Sequence, residues 1–154
     1  MSGSATRPTQ AVILAGGRGT RLGTLTDERP KPMVPFHGKP FLGHLVDLLR
    51  EQGFTRILML LGYLPQVIID HFGDGSAYGV TVEYDVTGPD DLTAFRVEHA
   101  RAWLDPTFLL LYCDNYWPMR FTDLWAAYRH SGAPAQVTIY ANGDDWSRDG
   151  VRVG

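Results

Sequence analysis

At 154 residues, 44% hydrophobic and 20% charged, the chain has the size and composition of one globular domain with a real core. A net charge of −3 excludes the broad basic field that draws in nucleic acid, so any anion site must be a local cluster. Cys113 is the only cysteine and the five histidines are scattered, which excludes a disulfide framework and any metal site with ordinary cysteine or histidine spacing.

Residues 1–10 (MSGSATRPTQ) are small and polar, lack the apolar centre of a signal peptide, and read as a flexible tail ahead of a domain over residues 11–154. Ala11–Leu14 is a short apolar run stopped by glycines, as a buried strand should be. A loop rich in Gly, Thr, Arg and Pro extends from there to about Pro40. FLGHLVDLLREQG then places Leu42, Leu45, Val46, Leu48 and Leu49 at helical spacing, with Gly53 as the stop. Arg56–Leu61 (RILMLL) is a second buried strand. LPQVIIDHFG is a short helix with Pro65 in its first turn and Gly73 at its end.

GDGSAYG is turn chemistry, and VTVEY (80–84) alternates like a strand. Leu92–Trp103 is expected to be one helix, with Arg96 and Arg101 on its exposed face. Phe108–Tyr112 (FLLLY) reads as the central strand. Thr122 should cap a helix through His130 that Gly132 closes, and Gln136–Ala141 is a further strand. The aromatic residues around the last helix, Trp125 and Tyr128 among them, read as packing groups. No apolar run reaches the roughly twenty residues needed to span a bilayer, so no membrane association is expected.

Strands alternating with helices imply an α/β fold with a mostly parallel central sheet and flanking helices. Ligands of such sheets bind where the strands end. Two loops qualify, GGRGTR after Leu14 and CDNYW after Tyr112. The first fails the dinucleotide fingerprint, because Gly17, Gly19 and Gly23 are spaced G-x-G-x-x-x-G. It also fails the P-loop pattern, since the only Gly-Lys pair, Gly38-Lys39, is followed by proline.

The order LAGGRGTRL, nine intervening residues from Arg21 to Lys31, then PKPMVPFHGKPFL, resembles the signature of the sugar-1-phosphate nucleotidylyltransferases. RILMLLGYLPQVIIDHFGDG and FLLLYCDNYW are similar to that family's second strand and metal-binding strand end, so the likeness runs from Ala11 to about Tyr140. The residue chemistry agrees with it. Glycines at 16, 17 and 19 let backbone N–H groups approach an anion, Arg21 can fork onto phosphate oxygens, and Pro30 stiffens the segment that presents Lys31.

The resemblance implies a Rossmann-like nucleotidyltransferase fold and Mg2+-dependent transfer of a nucleotidyl group from a nucleoside triphosphate to a sugar 1-phosphate; the lone cysteine and the polar first ten residues lead to the expectation of a cytoplasmic location. Leu14, Ala15, Gly16, Gly17, Gly19, Thr20, Arg21 and Gly88 would bind the nucleotide, Arg21 and Lys31 would act in catalysis, and Asp114 would hold the metal. The loop phrases resemble most closely members that use GTP with mannose- or heptose-type sugar phosphates, and members of the family form oligomers. Two departures stand out. TGPDDLTAFRVE replaces a glycine-rich stretch beside the base, and Cys113 stands where a glycine usually precedes the metal aspartate. The family's sugar-binding half and second metal aspartate are expected to be absent, with Asp144 and Asp145 read as turn residues. A noncatalytic nucleotide-binding module, and transfer to a non-sugar phosphate, are the alternative readings.

Overall fold

The strand that begins the sheet, β1 (Gln10–Ala15), is buried at all six positions. A strand buried on both faces needs neighbours on both edges and helices above and below. In the computed structural model, which describes residues 6–19, 28–116, 118 and 120–139, β1 lies between β4 (Arg56–Leu61) and β6 (Leu109–Tyr112). β5 (Thr81–Val86) pairs with the far side of β4, giving the order β5-β4-β1-β6. All three pairings are parallel, so the mostly parallel α/β sheet expected from the sequence is present.

Parallel strands need crossover connections, and the sequence supplies helices for them. A two-stranded hairpin, β2 (Pro35–Phe36) and β3 (Lys39–Pro40), turns at His37 and Gly38 with φ of 46° and 84°. Two successive positive φ values are the mark of a turn whose twist suits a tight hairpin. The helix α1 (Phe41–Glu51) buries Leu42, Leu45, Val46 and Leu49. Gly53 ends it at φ 87°, and the Phe54 N–H reaches back to Leu49 O at 3.0 Å. Next, α2 (Pro65–Phe72) starts at its proline and stops at Gly73. Val12, Leu14, Leu58, Leu60 and Ala100 form a buried cluster, against which Val97, Leu104 and Phe108 pack.

Several expectations need correction. The 92–103 helix is two pieces, α3 (Thr93–His99) and a 3-10 turn over Ala100–Trp103. Among the described residues β6 is the edge of the sheet and not its centre, with Leu110 and Tyr112 exposed. Residues 8–10 of the expected tail pack onto the domain: Pro8 and Gln10 are buried, and Thr9 O accepts from the N–H groups of Thr55 and Arg56.

By its internal contacts the chain divides into two units, Met1–Met119 and Arg120–Gly154. The second contains α4 (Phe121–Ser131), closed by Gly132 at φ 62°. Its N-cap is Arg120, which makes no side-chain capping bond, so Thr122 lies inside the first turn. Trp125 and Tyr128 stack on one helix face with ring centroids 5.5 Å apart, as packing residues do. Residues 136–139 form no strand, and the remainder of that expected element lies outside the described residues.

Candidate functional site

The parallel register ends β1, β4 and β5 at Ala15, Leu61 and Val86, while Leu14 of β1 lies opposite Tyr112 at the end of β6. Four loops therefore emerge from one edge of the sheet, and they hold most of the candidate residues. Leu14 and Ala15 are buried in β1, and Leu14 O accepts from Cys113 N at 3.2 Å. That bond fixes where Asp114 leaves the sheet. Thr20 and Arg21 lie outside the described residues.

The three described glycines of the first loop differ in their surroundings. Gly16 is buried, and its carbonyl accepts from Tyr63 N at 3.0 Å. A side chain at Gly16 would put its Cβ 2.2 Å from the Arg96 guanidinium carbon, so any other residue there would displace that side chain. Gly17 is exposed, and a Cβ there would meet nothing within 4 Å. Gly19 has φ 65°, in the left-handed region where glycine is at ease. Arg18, between them, donates to both oxygens of Asp90, at 2.8 and 3.0 Å, and lies 5.5 Å from the Tyr63 ring centre. This hydrogen-bonded pairing pulls the Asp90 carboxyl below the usual aspartate range.

Lys31 opens a 3-10 turn over Lys31–Met33 that is anchored by buried Pro32 and Met33 and by a bond from Met33 N to Pro30 O at 2.8 Å. So anchored, its ammonium donates to Asp114 Oδ2 at 2.8 Å, both side chains being 38% exposed. The pair sits at the polar end of a cleft of about 220 Å³, walled by Pro32, Pro35, Phe36 and Phe41 and reached by Cys113. Burial, and after it the Asp114 charge, pushes the Cys113 thiol up to about 12, which suits a packing residue and not a nucleophile. His37, at the hairpin turn, packs edge-on against Phe36, as a bystander would. Tyr116 meets Phe41 edge-on at 6.5 Å; Trp117, Asp144 and Asp145 lie outside the described residues.

Among the described residues no group of three or more metal-ligating side chains comes together. Asp114 alone fits the protein's share of a magnesium shell, because that ion takes one or two carboxylates and fills its remaining positions with phosphate oxygens and water.

Gly88, in the loop after β5, donates its N–H to Asp91 Oδ2 at 2.6 Å. Its carbonyl accepts from Arg96 Nη2 at 2.7 Å. Arg96 is thus not on the exposed face of a helix, as its sequence context suggested, but buried at the same edge of the sheet as the glycine-rich loop. The overlooked signal was a pair of glycines, Gly16 just past β1 and Gly62 just past β4. Each lies so close to the guanidinium that an added Cβ would come within 2.6 Å of it.

Residues 10–148 match the family described as Nucleotidyl transferase. The chain is 34% identical over 145 residues to the UTP–glucose-1-phosphate uridylyltransferase AglF of Haloferax volcanii, covering 94% of this chain and 59% of that protein. It is 46% identical over 80 residues to the mannose-1-phosphate guanylyltransferase of Mycobacterium tuberculosis, covering 52% of this chain and 22% of that one. Among solved structures, HddC from Yersinia pseudotuberculosis complexed with GMP-PN is similar at TM-score 0.69 and 30% identity, over 79% of this chain and 54% of HddC. The chain thus spans between half and two thirds of the AglF and HddC lengths.

Proposed function

From the premise that this chain belongs to the nucleotidyl transferase family, which includes the sugar-1-phosphate nucleotidylyltransferases, we propose that it binds a nucleoside triphosphate at the loops after β1, β5 and β6. We further propose that it serves nucleotidyl transfer to a sugar 1-phosphate. The observation that carries this reading is the meeting of Lys31 and Asp114 at 2.8 Å, at the sheet edge where the glycine-rich loop also begins.

In the proposed reaction a phosphate oxygen of the sugar 1-phosphate attacks the α-phosphorus in line. The new P–O bond forms as the bond from the α-phosphorus to the bridging oxygen breaks, and pyrophosphate leaves with that electron pair. No protein nucleophile is needed, so the chain contributes position and charge. Backbone N–H groups of the glycine-rich loop after β1, with Arg21, would hold the phosphate chain. Lys31 would neutralise charge growing on the α-phosphate, and Asp114 would hold magnesium. When bound, that ion supplies charge neutralisation across the phosphates.

GTP is the nucleotide we assign, supported by likeness to a guanylyltransferase and to HddC complexed with GMP-PN. Similarity to uridylyltransferases makes UTP the competing assignment. Calorimetric titration of GTP, UTP, dTTP, CTP and ATP with magnesium, into this chain and its Arg21→Ala variant, tests both points. Selective GTP binding that Arg21→Ala abolishes is expected. Tighter binding of UTP would reassign the base, and binding of none of the five would overturn the reading.

A further inference from the structure

Arg96 has no part in the scheme above, yet at 4% exposure it is the most buried charged residue among those described. Its Nη1 donates to Leu61 O at 2.8 Å and Thr87 Oγ1 at 2.6 Å, and its Nη2 to Gly16 O at 3.3 Å and Gly88 O at 2.7 Å. All four acceptors are neutral. Among the described residues no carboxylate lies within ion-pair distance of it: Asp90, which feels its charge, is bonded to Arg18. A buried cation without a counter-charge is costly, and neutral acceptors compensate it only in part.

The four acceptors are also informative by position. Gly16 follows β1, Leu61 ends β4, and Thr87 and Gly88 follow β5. One planar fork therefore fastens three strand ends together. The Gly16 carbonyl is turned inward onto Arg96 and onto the Tyr63 N–H. In a trans peptide the C=O and the following N–H point in opposite directions. The Gly17 N–H is thereby turned away from Arg96, at an exposed residue beside which a Cβ would meet nothing within 4 Å. A preset outward donor with a buried positive charge behind it is an arrangement for an anion.

We propose that Arg96 is a positioning residue for the phosphate chain of the nucleotide: it fixes the Gly16–Gly17 peptide with its N–H outward and supplies the charge behind that donor. This rests on the reading of the site as a triphosphate site. Both the leucine and the threonine acceptors hold the guanidinium in one orientation, which a lysine ammonium, a compact charge with three rotatable donors, cannot reproduce.

The test uses the full chain, its Arg96→Lys and Arg96→Met variants, and two probes, GTP and inorganic triphosphate, each with magnesium. Wild type is expected to bind both. Arg96→Lys should weaken both at least tenfold, and Arg96→Met more, with far-ultraviolet circular dichroism unchanged. In 15N spectra of the unliganded chain, the Gly17 amide should move in both variants while that of Val46, in α1, stays. A residue that served stability alone would lower the melting temperature and leave the Gly17 amide and the affinity for inorganic triphosphate in place. Wild-type binding with both variants within threefold, or an unmoved Gly17 amide, overturns the role of Arg96 and leaves the nucleotide reading standing. Failure of wild type to bind either probe overturns the nucleotide reading itself. If Arg96→Met does not fold, the comparison of Arg96→Lys with wild type decides by the same thresholds.

Discussion

Lys31 Nζ donates to Asp114 Oδ2 at 2.8 Å, a contact between residues 83 positions apart in the sequence. An ammonium on the carboxylate occupies the oxygen that a divalent cation would use. In the ligand-free chain each group compensates the other, and under the proposed function a triphosphate arriving with magnesium would offer both a better partner. The ion would gain Asp114, and Lys31 would gain phosphate oxygens. Exchange of partners of this kind would keep the site closed to metal alone.

Lys31→Ala should therefore have two opposite effects. Pyrophosphate release from GTP with a sugar 1-phosphate should fall about a hundredfold, near 3 kcal/mol, by analogy with loss of one preorganised donor. Affinity for Mn2+ without nucleotide, followed by its electron paramagnetic resonance signal, should rise several-fold because Asp114 is freed. A metal affinity unchanged by the substitution would show that the pair does not guard the carboxylate.

Glycines at the sheet edge should separate by what surrounds them. Gly16→Ala and Gly62→Ala each drive a Cβ to within 2.6 Å of Arg96. Overpacking of this kind should cost about 1–3 kcal/mol in urea unfolding. Gly17→Ala meets open space and should stay within about 0.5 kcal/mol of wild type. Its effect should appear in nucleotide binding, where the added methyl keeps phosphate from the backbone. Equal stability losses at all three positions would contradict this division.

Much of the scaffold was legible because local signals and burial agreed. RILMLL became β4 over Arg56–Leu61, as read, and PQVIIDHF became α2 between its proline and its glycine. The hairpin at His37 and Gly38 was missed because its strands are two residues each, too short for alternation to show. Arg96 was misplaced for a different reason. Leu92 and Phe95 are 77% and 51% exposed while the arginine between helix and sheet is buried, the inverse of what amphipathic patterning implies. Only the requirement that three separate strand ends share one donor explains the inversion, and that is a property of the assembled sheet. The edge position of β6 was hidden likewise: a run of leucines is the same whether one or both of its edges are paired.

The Arg18–Asp90 pair offers a titration. Asp90 is held below its ordinary value chiefly by the hydrogen bond from Arg18. A depressed carboxyl pKa contributes its linkage above the unfolded value, near pH 4, and loses it as pH falls through the lower folded value. Both side chains are largely exposed, so the effect on global stability should be small. The sharper readout is local: the 13C titration midpoint of Asp90 should lie below that of a free aspartate and return to it in Arg18→Ala. A midpoint unmoved by that substitution would mean that the pair does not persist in solution.

Cys113 gives the last prediction, and it concerns a residue whose neighbourhood looks reactive. It precedes Asp114 and reaches the cleft that Lys31 lines, and a nearby ammonium ordinarily lowers a thiol pKa. Burial and the Asp114 charge outweigh that cation and push the thiol up to about 12 from 9.0. Three pH units correspond to roughly a thousandfold less thiolate at pH 8 than an unperturbed cysteine holds. Alkylation by iodoacetamide at pH 8 should accordingly be slower than that of free cysteine by two to three orders of magnitude, roughly in proportion to the thiolate present. Removing the Asp114 charge with Asp114→Asn should speed it only modestly, since burial is the larger cause. Urea, by removing the burial, should restore the ordinary rate. Fast alkylation in the native chain would show instead that the Lys31 ammonium governs this thiol.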